Sequence, residues 1–128
     1  MAMAIAAVLI GGLITGYTMS TRRAEWSAYS LAAQALAIQK LEQARAAKWD
    51  LQALPVVDEL VPGRFPPDVQ IMDIPISGTN IAYATNFTTI VDIVGASPLK
   101  FVQVDCVWPF AGGRVFTNSI ATYRAPDQ

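Results

Sequence analysis

Cys106 lies in the run Phe101-Val102-Gln103-Val104-Asp105-Cys106-Val107-Trp108, and it is the single cysteine of a chain that contains no histidine. A thiolate nucleophile needs a base or cation to hold it ionised. Histidine, the commonest such partner and a common zinc ligand, is missing. Cys106 is therefore expected to be a small buried hydrophobe on the strand face it shares with Val102, Val104 and Trp108. One cysteine also excludes an intramolecular disulfide and a cysteine-rich metal centre. Asp50, Asp58, Glu59, Asp68 and Asp73 concentrate carboxylates in one stretch, which raises the question of calcium. That ion takes about six to eight oxygens from closely arranged groups, and these residues lack EF-hand spacing. Solvated loop charge is the expectation. Gly112-Gly113 superficially suggests a phosphate loop, but the Gly-x-x-x-x-Gly-Lys-Ser/Thr frame is absent and strand-like runs flank it, so it reads as a turn. Trp108 reads as sheet core, and Phe110 is left open between core and exposed contact. No catalytic, cofactor-binding or metal residue is assigned, and an enzyme is not expected.

The elements that carry these residues follow from charge and periodicity. No charged side chain occurs before Arg22. Residues 22–49 hold Arg22, Arg23, Lys40, Arg45 and Lys48 against Glu25 and Glu42, a net of +3, and residues 50–128 hold four cations against eight carboxylates, a net of −4. A basic stem and an acidic head do not make the continuous basic surface of a nucleic-acid binder. Arg22 and Arg23 remain suited to anionic lipid.

The opening run Met1–Thr21 is long enough for a membrane helix, since about 20 apolar residues cover roughly 30 Å. A secretion signal would have basic residues before a shorter apolar core and a small-residue cleavage site. A core helix apolar on every side would need more protein around it than this chain supplies. Tyr17, Trp26 and Tyr29 follow where interfacial aromatics would stand. Residues 1–21 are accordingly expected to form a membrane-embedded helix half.

From Ser20 to Trp49 neither proline nor glycine occurs, and good helix formers dominate. One helix of close to fifty residues, roughly 70 Å long, is predicted. Its half at residues 22–50 is amphipathic, with Leu31, Ile38, Leu41 and Trp49 on the covering side, Ala28, Ala35 and Ala46 beside them, and Gln39, Lys40 and Gln43 facing elsewhere. Pro55, Pro62-Gly63 and Pro66-Pro67 mark a loop over residues 51–68. Residues 69–128 read as an antiparallel sheet of three or four strands. Val69–Ile74 forms an edge strand limited by Pro75; Asn80–Val94, Leu99–Trp108 and Val115–Arg124 follow. Turns fall at Gly95-Ala96-Ser97-Pro98 and Pro109–Gly113. Lys100, Gln103 and Asp105 are placed off the apolar face of the third strand. A small sheet needs a cover, and the amphipathic helix half is the one available, which makes the fold class α+β.

With these residues, the chain resembles the type IV pilin and pseudopilin family. "AMAIAAVLIGGLITGYTMS" is similar to the apolar half of the pilin N-terminal helix, and "EWSAYSLAAQALAIQKLEQARA" to its amphipathic continuation. "FVQVDCVWPFAGGRVFTNSIATYRA" is similar to the end of minor pseudopilins of type II secretion and type IV pilus systems. The family's basic leader, its peptidase glycine and its Phe-Thr-Leu-Ile-Glu-like start are not in the sequence, so Met1 is expected to align a few residues inside the mature N-terminus. Some pseudopilins bind calcium in the loop that precedes the sheet.

The resemblance implies a structural subunit of a pilus or pseudopilus, anchored by one pass in the bacterial inner membrane with its head outside the cytoplasm. Its implied partners are other pilin or pseudopilin subunits and the lipid bilayer, not nucleic acid, and no cofactor is implied. The positive-inside rule alone would place Arg22 and Arg23, with the head behind them, in the cytoplasm. A basic leader would reverse that bias. Ala2, Ala4, Ala6, Ala7, Gly11, Gly12 and Gly16 would allow close helix approach in a filament core. The alternative is a single-pass membrane protein whose head binds a partner and never polymerises.

Overall fold

The computed structural model describes residues 1–74 and 81–128. Pro75 and Asn80, invoked above as an edge-strand limit and a strand start, lie outside them. Helix α1 spans Ala2–Ala46 without a break. Two short strands pair antiparallel: β1 (Trp49–Asp50), where the end of the helix was predicted, and β2 (Val57–Asp58), inside the region predicted as plain loop. The main sheet is antiparallel in the order β3 (Asp68–Ile71), β4 (Tyr83–Ile93), β5 (Leu99–Phe110), β6 (Arg114–Arg124). The α+β architecture expected from the sequence is present: one long N-terminal helix packed on a small antiparallel sheet, here of four strands.

The amphipathic half covers the sheet with a different face from the one predicted. Ala32, Ala33, Ala37, Leu41 and Ala44 are buried, whereas Leu31 is 71% and Ile38 43% exposed. Ala35 and Ala46 are exposed and Ala28 is half-buried. At 100° per residue, Leu31 and Ile38 lie roughly 140–160° around the helix from Ala33. The reason is steric. Alanine lets the helix backbone sit close on the inner sheet face, where Val102, Val104, Cys106 and Trp108 are fully covered, and close approach maximises contact. Leu41 is the large residue that this face accepts, near the sheet's far end. Leu41→Ala is expected to cost about 2 kcal/mol in thermal melting of the full chain in mild detergent. Ile38→Ala is expected to cost less, about 1 kcal/mol or under, because 43% of the residue is already in solvent against 6% for Leu41; equal losses at the two sites would refute this packing.

Three further expectations are corrected. Trp49 is buried in β1, not on the helix. Lys40 does not face away: its ammonium lies 3.7 Å from the Asp68 carboxylate on β3, with only 11% of its side chain exposed. Lys100 does not lie off the apolar face of β5; it is buried on it, in strict alternation with Val102, Val104, Cys106 and Trp108.

The helix ends at Ala46, before any proline or glycine, because tertiary partners take its backbone groups. Arg124 on β6 donates to the carbonyls of Ala44, at 3.1 Å, and of Ala47, a cation where the helix dipole is negative. Beyond it the Lys48 carbonyl accepts from the Glu59 N–H at 2.8 Å and the Trp49 carbonyl from the Asp127 N–H at 2.7 Å.

Candidate functional site

The first half of α1 is exposed along its whole length. Every residue from Met1 to Ser27 is exposed, including Val8 at 74%, Leu13 at 74% and Tyr17 at 76%. By length and composition this helix is long and apolar enough to cross a membrane. Thr15, Thr18 and Thr21 turn their hydroxyls back onto the carbonyls of Gly11, Ile14 and Tyr17, each at 2.9 Å. These three hydroxyls are thus satisfied by the helix's own backbone, as an apolar surrounding requires. A methyl group added at Gly11, Gly12 or Gly16 would meet nothing within 4 Å. Their lack of a side chain answers no demand of the monomer's own packing.

Where this surface meets the head, aromatic rings lock the helix to the sheet. Trp26 on α1 has its ring 5.8 Å from Trp108 and 5.8 Å, edge-on, from Phe116. Tyr29 meets Phe110 edge-on at 5.2 Å, and Trp108 stacks on Phe116 at 5.1 Å. Trp108 is core, as predicted, and Phe110 is half-buried at the rim of the same cluster. The Trp108 indole N–H donates to Asn118 Oδ1 at 2.9 Å. The Asn118 amide in turn donates to the Ser30 carbonyl and Oγ, both at 3.1 Å, and to Gln34 Oε1 at 3.3 Å. This polar staple between β6 and α1 escaped the sequence reading. The one available signal was an Asn standing in register with β5 two positions from the apolar Phe116 and Ile120.

Gly112 and Gly113, at φ +81° and +73°, form the turn between β5 and β6, a backbone region open to glycine at little cost. It holds no phosphate-loop frame. Cys106 is fully buried, and burial pushes its thiol up to about 11, the opposite of an activated nucleophile. Across from it on β4, Asn86 is fully buried and its amide has no partner among the described residues.

The loop carboxylates are dispersed into local structural work. Asp50 accepts from the N–H groups of Gln52 and Ala53, and Glu59 from the Lys48 N–H. Asp68 pairs with Lys40 and accepts from the Gln70 amide, while Asp73 is exposed. Asp58 accepts from the Leu60 N–H and from the Lys100 ammonium at 2.6 Å. Among the described residues no three potential ligands converge as a metal would require.

Asp127 closes the far end of the head by accepting from the Trp49 N–H at 2.9 Å and from Arg124 Nη2 at 2.6 Å. The Trp49 N–H first, then Arg124, holds this carboxyl below its ordinary value near 3.8. A carboxyl depressed in the folded state contributes stability above its unfolded pKa, and that contribution is lost as pH falls through the folded pKa. The melting temperature is therefore expected to fall from about pH 4 downward. Asp127→Asn should make that acid limb shallower; an unchanged acid limb would show that this cap is energetically silent.

In comparisons with protein-family models, curated proteins and solved structures, nothing matches this chain.

Proposed function

We propose that the chain is a structural subunit of the pilin or pseudopilin kind, serving a type IV pilus or a type II secretion pseudopilus. It assembles by packing its apolar N-terminal helix against the same helix of other subunits. The observation that carries this reading is the helix half at residues 2–21, apolar all round and exposed at every residue. Such a surface requires lipid or other helices. Before assembly the bilayer supplies the surround; in a filament the neighbouring helices do. Gly11, Gly12 and Gly16 leave open surface in the monomer, which suits close helix approach. Leu31 and Ile38, exposed on the outward side of the second half, extend the apolar strip along the head. In this reading the subunit waits in the bacterial inner membrane with its head outside the cytoplasm.

Cross-linking tests it. Cys106 is buried and contributes little background. Two cysteines on the apolar helix, Ile5→Cys with Ile14→Cys, should yield on oxidation in native membranes a ladder extending past dimers. Adding Gly11→Val with Gly12→Val should shorten the ladder. A product confined to monomer would instead support a membrane-anchored binding module.

A further inference from the structure

Arg22 and Arg23 are the first charges after the apolar helix. Trp26, one turn further on the same side of the helix, is pinned to Trp108 and Phe116. The glycine turn folds β6 back so that Arg114 pairs across from Phe110. Two stretches far apart in sequence thereby converge on one concave recess of about 620 Å³, lined by Arg22, Arg23 and Arg114 together with Trp26, Phe110 and Phe116. The volume falls within the roughly 300–1,000 Å³ of small-molecule sites.

These three arginines differ from most other cations of the chain. Lys40, Arg45, Lys100 and Arg124 each have a carboxylate within 4.0 Å, whereas among the described residues none of the three lining the recess does. Three like charges lining one recess with no carboxylate within 4.0 Å, Glu25 on the next turn included, repel one another, and an anion seated between them lowers that cost. Guanidinium groups fit phosphate through paired hydrogen bonds. Position decides which phosphate. Residues 2–21 span about 30 Å, the thickness of a bilayer core, so the recess opens at headgroup level with its aromatic rings at the interface. The chain's net charge of −1 disfavours an extended polyanion.

We propose that this recess binds the phosphate of an anionic phospholipid headgroup, whose acyl chains run down the apolar helix. The proposal rests on the membrane reading of residues 2–21.

The test uses the full chain in uncharged detergent micelles, titrated with dihexanoyl-phosphatidylglycerol, dihexanoyl-phosphatidylcholine or inorganic phosphate, with tryptophan fluorescence as readout. Phosphatidylglycerol should give a saturable change, phosphatidylcholine none, and Trp26→Phe should abolish the signal. Arg114→Gln should weaken the binding about tenfold or more, Arg114→Lys less, and Lys48→Gln not at all. Arg114 is exposed, so the fold should survive these changes; equal melting temperatures check this. Equal responses to the two lipids, or unaltered affinity in Arg114→Gln, would overturn the site. Saturation by inorganic phosphate at the same concentrations as the lipid would overturn the lipid assignment. Alkaline extraction of native membranes separates the underlying reading: a chain released to the supernatant refutes the membrane span, while a retained chain without lipid discrimination refutes only the recess.

Discussion

Trp108→Ala is expected to lower the stability of the head by about 4 kcal/mol, among the larger losses for a single core truncation. The indole is fully buried and touches the rings of Trp26, Tyr29, Phe110 and Phe116. Its removal opens a cavity under the helix and also strands Asn118 Oδ1, which now accepts the indole N–H. In a head of this size that loss corresponds to a fall of roughly 15–25 °C in melting temperature. Trp108→Phe separates the two contributions, since it keeps most of the ring contact but removes the donor, at a cost of about 1–2 kcal/mol. If Trp108→Ala melted within a few degrees of the parent chain, the aromatic cluster would not be what joins helix to sheet.

The second large effect is at Lys100, whose ammonium donates to Asp58 at 2.6 Å and to the Leu60 carbonyl at 2.7 Å, and sits 4.8 Å from the centre of the Trp49 ring. Lys100→Met fills similar space but leaves the solvent-exposed Asp58 carboxylate and the buried Leu60 carbonyl without their donor. A loss of about 2 kcal/mol is expected, since the buried Leu60 carbonyl loses a charged donor. Adding Asp58→Asn to Lys100→Met removes the stranded charge while keeping an acceptor for the Leu60 N–H, so the double variant should melt higher than the single one. Additive losses would mean that the pair is not coupled. The contact also ties the loop after the helix to the sheet, since Lys100 joins β2 and Leu60 to the start of β5.

Much of this architecture was legible in the sequence, because local chemistry dictates it. Twenty uncharged residues without a prolyl break form a helix that no small domain can bury, whatever follows. The strict alternation from Leu99 to Trp108 imposes a strand, and Gly112-Gly113 imposes its reversal, since positive φ suits glycine. The buried state of Cys106 followed from that alternation, and Lys100 obeyed the same period, although its charge argued for the other face. Only the folded chain decided what depends on how closely the elements approach. The alanine face of α1, not the side with Leu31 and Ile38, turned inward because small side chains allow more backbone-to-sheet contact than large ones bury. The helix stopped at Ala46 because Arg124, Glu59 and Asp127, distant in sequence, supply hydrogen bonds that compete with another helical turn. Asn118 became the staple to Ser30 and Gln34 because its register on β6 sets it under the helix. Arg114 likewise joined Arg22 and Arg23 only through the β5–β6 turn, since no local pattern encodes a meeting of residues ninety positions apart.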